Sequence, residues 1–288
     1  MVKVVGRGFA FTEAPRWHED ALWFSDFYAR RVVRWDGTQF ETVCEVPGQP
    51  SGLGFAPTGE LMVVSMMDRR LLRLRDGELE LVADLVDYCP GVANDMWVDA
   101  RGRAYVGNDG PLDPLGSTVL LRVDPDGSVV AAADDLVVPN GIVISPDGKL
   151  LLAAESFAGR VSAWDVRDDG SLANRRTWAN FGSPRIARSV PEARKRLLMI
   201  PDGITLDAKG RLWIADAAGS GVWCIEEGGK VVDHVETGDY TAYSAVLGGG
   251  DGKSLFITAG PDLDDIHRDG REQAAILEAR VDVPAAGF

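Results

Sequence analysis

Six oxygen-bearing residues, Glu13, Ser51, Asn94, Asn140, Asp202 and Ser244, stand at matching places in six segments of the 288-residue chain. Two are carboxylates, two carboxamides and two hydroxyls. Carboxylates brought close together repel and raise each other's pKa unless a cation lies between them. The set holds Asp, Glu and Asn oxygens and no His or Cys. Such donors suit a hard divalent ion, Ca2+, Mg2+ or Mn2+, with water completing the shell. Zn2+ would bind such donors without being selected by them. Asp26, Asn108 and Asp216 end the strands that follow three of these residues, and they are candidates to support the ring from behind or to touch substrate.

Turn chemistry is the plainer explanation of Asn140-Gly141 and Asp202-Gly203, since Asn-Gly and Asp-Gly pairs favour turns. Each pair, however, is followed by a separate turn signal, Pro146-Asp147-Gly148 in one case and Ala208-Lys209-Gly210 in the other. The hairpins are therefore already provided for, and the leading Asn and Asp are left for another role.

The elements that must position these residues are short strands. Runs such as "ELMVVS", "RLWIAD" and "SLFITA" recur with Gly-containing turns between them, the pattern of consecutive antiparallel hairpins. Six copies in 288 residues give 288/6 = 48 residues per unit, close to the ~40–50 of a four-stranded propeller blade. The expected fold is all-β: a single domain over residues 1–288, a six-bladed propeller whose inner strands line a channel. The terminal segments "VKVVGRGFAF" and "AAILEARVDV" are both strand-like and are expected to pair and close the ring. Between Asn140 and Asp202 the spacing stretches to 202 − 140 = 62 residues. Residues 180–200 are therefore read as a lid or insertion loop, with a short helix in "VPEARKRLL".

Composition excludes several classes. A net charge of −14 and a pI near 4.7 offer no extended basic surface for nucleic acid or anionic membrane. Cys44, Cys89 and Cys224 are widely spaced and odd in number, which suits reduced core residues. No signal-like or membrane-length apolar run is present, so a cytoplasmic, soluble protein is expected, as a monomer or small homo-oligomer. His18, His234 and His267 fall in expected turns or outer strands, so Ser51 and Ser244 lack a histidine base. No G-x-S-x-G elbow occurs, and "GGGDGK" at 248–253 is a hairpin turn rather than a phosphate loop.

At "TEAPRW", "NDMWVDARGRAYVGN", "PNGIVISPDGK" and "IPDGITLDAKGRLWIAD" the chain resembles the senescence marker protein, gluconolactonase and luciferin-regenerating-enzyme family, over nearly its whole length. The resemblance implies one divalent ion held by Glu13, Asn140 and Asp202, calcium first and Mg2+, Mn2+ or Zn2+ as alternatives. Asn94 would face substrate or act as a fourth ligand. It also implies hydrolysis of a small lactone: the ion polarises the carbonyl, and water is activated by Asp202 or by the ion itself. Related propellers with a similar site hydrolyse organophosphates, and a metal-binding propeller without catalysis is the other alternative. The chain departs from the sugar lactonases at Val92, which stands where they carry Arg; this leaves room for a more apolar lactone. Arg185, Arg188, Arg194 and Arg196 suit either an anionic substrate or a solvated loop.

Overall fold

The computed structural model describes residues 2–182, 187–219, 221–266 and 269–287. Its strands form six four-stranded antiparallel sheets arranged as a β-propeller. Blades one to five begin at the axis with Thr12–His18, Pro50–Phe55, Ala93–Val98, Pro139–Ile144 and Pro201–Leu206, and each runs outward in chain order. Blade six begins with Thr241–Gly248 and takes its outermost strand, Lys3–Phe9, from the other end of the chain. That strand pairs antiparallel with Ala274–Arg280, as expected from the two terminal segments. Neighbouring inner strands touch all the way round, including Thr12–His18 against Thr241–Gly248, so the wheel is closed.

Burial follows from position in the wheel. Second strands such as Leu61–Ser65 and Leu212–Asp216 are buried along their whole length, because sheets cover both faces; they therefore read as unbroken apolar runs. Outer strands such as Val231–Glu236 are half-exposed and mixed in sequence. The core lies between blades. Val143, Leu152 and Ala154 of blade four form one cluster with Ile204, Leu212 and Ile214 of blade five. Among the described residues no helix is long and apolar enough to cross a membrane.

The last residue of the second strand has a recurrent structural task. Asp26 Oδ1 accepts from the backbone N–H groups of Ala10 and Phe11 at 2.9 and 3.1 Å, and Asp216 Oδ1 accepts from Ile200 and Ala218 at 3.0 and 3.1 Å. Glu155, at the same place in blade four, accepts from the Val137 N–H at 3.1 Å. In blade three Asn108 Oδ1 accepts from the Gly110 N–H at 3.1 Å. The chain entering or leaving the channel mouth thereby has its donors satisfied by a rigid strand end.

Glu155 is fully buried and paired with Arg160 at 2.8 Å and Arg175 at 3.0 Å. Burial pushes its pKa upward, but the bonds from Arg160 and Ser162 and the two positive charges outweigh that and hold it below its ordinary value of 4.5. An acid with a depressed folded-state pKa contributes stability above about pH 4.5 and loses it as pH falls through the folded value. Glu155→Gln is expected to cost about 2 kcal/mol at pH 7, with the gap to wild type closing toward pH 3. Urea denaturation at a series of pH values checks both the loss and its disappearance in acid.

Candidate active site

The six matching residues sit at irregularities in the inner strands. In blade one the pairing slips between Glu13 and Arg16, in blade two between Pro50 and Leu53, in blade three between Ala93 and Met96. Blades four, five and six slip between Pro139 and Ile142, Pro201 and Ile204, and Ala242 and Ser244. A bulge of this kind re-aims a side chain that the regular pleat would send into the sheet. Close approach of neighbouring bulges explains the glycines. A Cβ on Gly141 would lie 2.3 Å from the Asp202 carbonyl oxygen, and one on Gly203 would lie 1.8 Å from Ser244 Oγ. Asn-Gly and Asp-Gly therefore serve the packing of inner strands, while the later Asp207 caps the hairpin through the Lys209 and Arg211 N–H groups at 2.8 and 3.0 Å.

Four of the six side chains, Glu13, Asn94, Asn140 and Asp202, line one cavity of about 630 Å³ at the channel mouth. Ser51 and Ser244 do not. Ser51 is buried behind Asn94 and donates to its Oδ1 at 2.9 Å, and Ser244 is buried with its carbonyl accepting from Thr258 at 3.2 Å. Asp26, Asn108 and Asp216 also lie outside the cavity lining; they hold backbone, as described above.

Asp202 is 6% exposed, and among the described residues its Oδ1 finds no hydrogen-bond donor. Burial, then the charges of Glu13, Asp95, Asp109 and Asp216, raises its pKa well above the ordinary value. Glu13 is pushed up to about 8, first by burial and then by Asp95, against the lowering effects of the Ala14 N–H and Arg16. Its Oε2 accepts from that N–H at 2.8 Å. Among the described residues no three His, Cys, Asp or Glu side chains are placed to hold an ion; a cation here would draw on two carboxylates completed by amide oxygens. The residues fit one. A buried carboxylate oxygen without a donor is costly unless a proton or a cation meets it, and the donors are hard oxygens.

The SMP-30/Gluconolactonase/LRE-like region matches residues 11–260. The chain belongs to that family. Pentonolactonase XacC of Haloferax volcanii is 30% identical over 295 residues, spanning 100% of this chain and 96% of its own. A solved luciferin-regenerating enzyme is similar with a TM-score of 0.80 at 21% identity, over 99% of this chain and 97% of its own. A calcium-binding protein, regucalcin, from Agrobacterium tumefaciens is similar with a TM-score of 0.73 at 19% identity, over 99% and 98%. The two solved structures establish the likeness of fold.

Several residues of this family member's cavity region escape a reading of the six leading positions. Asp95, next to Asn94, is 5% exposed and receives Arg16 Nη2 at 2.7 Å. Arg16 also donates to the carbonyls of Pro15 and Met96 and lies over the Trp97 ring at 5.6 Å. The available signal was position: Asp95 is one residue, and Arg16 three, beyond a leading residue on an inner strand. Asp109 lines the cavity, accepts from Asn94 Nδ2 at 3.3 Å, and is pushed up to about 6 by burial.

The expected helix is present over Val190–Arg196, capped by Ser189. Val190 and Arg194 reach the cavity lining. Arg194 pairs with Asp262 at 2.9 Å and Asp264 at 2.8 Å, and Arg196 with Glu192 at 2.7 Å. These two cations are neutralised by the chain itself, and Arg185 lies outside the described residues. His18 differs from expectation: it ends the inner strand of blade one, where it stacks on Phe55 at 3.6 Å, because the strand pairing extends one residue past Trp17, to His18 opposite Ala21, before the turn. His234 is on an outer strand as expected, and His267 lies outside the described residues. Cys89 and Cys224 are buried, whereas Cys44 is half-buried on an outer strand; all three are free.

Arg16→Met leaves Asp95 buried without its partner, and is expected to destabilise the protein by about 3–5 kcal/mol. Adding Asp95→Asn should recover much of that loss in a double-mutant cycle measured by chemical denaturation. The raised pKa of Glu13 carries the opposite sign to that of Glu155. A carboxyl whose folded pKa exceeds its unfolded value favours the folded state while protonated, so its contribution declines as pH rises from about 4.5 toward 8. Metal-free protein is expected to lose melting temperature across that window, and Glu13→Gln to flatten the decline in calorimetry.

Proposed function

We propose that the protein opens a small lactone by hydrolysis, using one divalent cation, calcium first, held by Glu13, Asn140 and Asp202. The observation that carries this reading is Asp202: a buried carboxylate with an unpartnered oxygen, beside a second carboxylate, facing a cavity large enough for a small molecule. Membership of the family supports it, as does the 30% identity to a protein named a pentonolactonase. Calcium is supported by the oxygen-only donors and by the similar fold of the calcium-binding regucalcin. When bound, such an ion supplies Lewis-acid polarisation of the lactone carbonyl and the positive charge that lets both carboxylates stay ionised.

The chain's own residues account for the rest. Water attacks the carbonyl carbon, the ring C–O bond breaks, and a hydroxy acid leaves. Asp202 takes the proton from the attacking water and returns it to the departing ring oxygen. Asn94, held by Ser51 and Asp109, orients the substrate or adds a fourth oxygen to the shell. Asp26, Asp216 and Asn108 keep the backbone around the mouth from relaxing. The helix at 190–196 acts as part of a lid over the cavity.

The test is turnover of a lactone panel and of a phosphotriester after chelation and readdition of Ca2+, Mg2+, Mn2+ or Zn2+ singly. Lactone hydrolysis should return, best with Ca2+. Asp202→Asn should lower kcat by about 10²–10⁴-fold, and Glu13→Gln should raise the cation concentration needed for half-activity. Failure of every ion to restore lactone turnover, or full activity in Asp202→Asn, would overturn the reading.

A further inference from the structure

We infer that the lactone taken by this site carries an apolar substituent rather than ring hydroxyls, a refinement that rests on the proposed hydrolysis. Away from the candidate ion ligands much of the cavity wall is apolar. Phe27, Tyr28, Met66, Phe157, Leu263 and Ile266 all line it, and all belong to one hydrophobic cluster. Met66, Tyr28, Phe157, Leu263 and Ile266 are only half-buried, and the cavity they line is the place where that remaining apolar surface can be covered. They come from blades one, two and four and from the connection within blade six, so the apolar character surrounds the bound molecule rather than marking one side.

The polar side chains of the wall are largely engaged already. Ser156 Oγ donates to the Pro201 carbonyl at 2.9 Å, and Tyr243 donates to the Pro261 carbonyl. Arg194 is held between Asp262 and Asp264. Asn94 is spanned by Ser51 and Asp109. Among the described residues Gln49, Asp109 and the exposed Asp264, from blades two, three and six, are left to answer a hydroxyl beside the Tyr28 phenol. A polyhydroxylated ring entering this space exchanges several water hydrogen bonds for apolar contact, which is unfavourable for each hydroxyl left without a partner. An alkyl chain in the same space gains up to about fourfold in binding per methylene buried. Val92, also on the wall, adds to the apolar side.

The experiment compares kcat/KM, in calcium-loaded protein, for γ-valerolactone, γ-hexalactone, γ-octalactone and γ-nonalactone with that for a five-membered aldonolactone, D-xylono-1,4-lactone. The expected result is a rise of about two- to fourfold per methylene until the cavity is filled, with the aldonolactone at least about tenfold below γ-octalactone. Met66→Gln and Ile266→Asn, each checked for an unchanged melting profile, should flatten the chain-length series. A flat series, or faster turnover of the aldonolactone, overturns the inference while leaving lactone hydrolysis intact. If no lactone is turned over, the proposed hydrolysis fails separately, and calorimetric titration with γ-octalactone and with D-xylono-1,4-lactone decides the point. Tighter binding of the alkyl lactone upholds the apolar site, and equal or tighter binding of the aldonolactone overturns it.

Discussion

Glu13 and Asp202 arrive from blades one and five at the mouth of the same channel, where Asp95 adds a third acidic group. Burial withdraws water from these carboxyls, and their mutual repulsion adds to that penalty. Arg16 answers Asp95 directly at 2.7 Å, but among the described residues nothing answers Asp202 Oδ1. The wheel is therefore built around an electrostatic imbalance, which the raised pKa values of Glu13 and Asp202 record. Such an imbalance is what a cation-dependent site requires, since the same repulsion that disfavours the empty arrangement favours occupation by positive charge.

The rest of the fold can be understood as the support of that arrangement. Each inner strand is broken by a bulge at its leading residue, and at Gly141 and Gly203 the neighbouring strand comes too close for a side chain. One turn of chain away, Asp26, Glu155 and Asp216 hold the incoming backbone by its N–H groups. Polar residues of similar chemistry thus serve two distinct purposes at the same end of the wheel. Glu13, Asn94, Asn140 and Asp202, at the start of inner strands, line the cavity, and Asp26, Glu155 and Asp216, at the end of second strands, hold backbone. Phe157 and Ile266 of one apolar cluster line the same cavity and lower its local polarity, which strengthens electrostatic interactions there.

The wheel itself was legible because a propeller writes its geometry into the chain: blades are alike, so turn signals and leading residues recur at similar intervals. The same regularity overstated the ring. Ser51 and Ser244 share the register of Glu13 and Asp202, yet both are buried outside the cavity lining, Ser51 with its hydroxyl on Asn94 and Ser244 with its backbone carbonyl accepting from Thr258. Arg16 and Asp95 passed unnoticed for the opposite reason. Their pairing joins blades one and three, and no local pattern links residues so far apart.

By itself the sequence determined what periodicity and residue type can carry: six blades, closure by the terminal strands, an oxygen-only set of donors, and a helix in the long connection. The tertiary structure alone decided which of those donors share a cavity, which arginines are neutralised by neighbouring carboxylates, and that side chains of one apolar cluster line the same cavity. The division has a physical cause. Strand and turn preferences act between residues close in the chain, whereas burial, charge pairing and cavity shape arise only when distant blades are brought into contact.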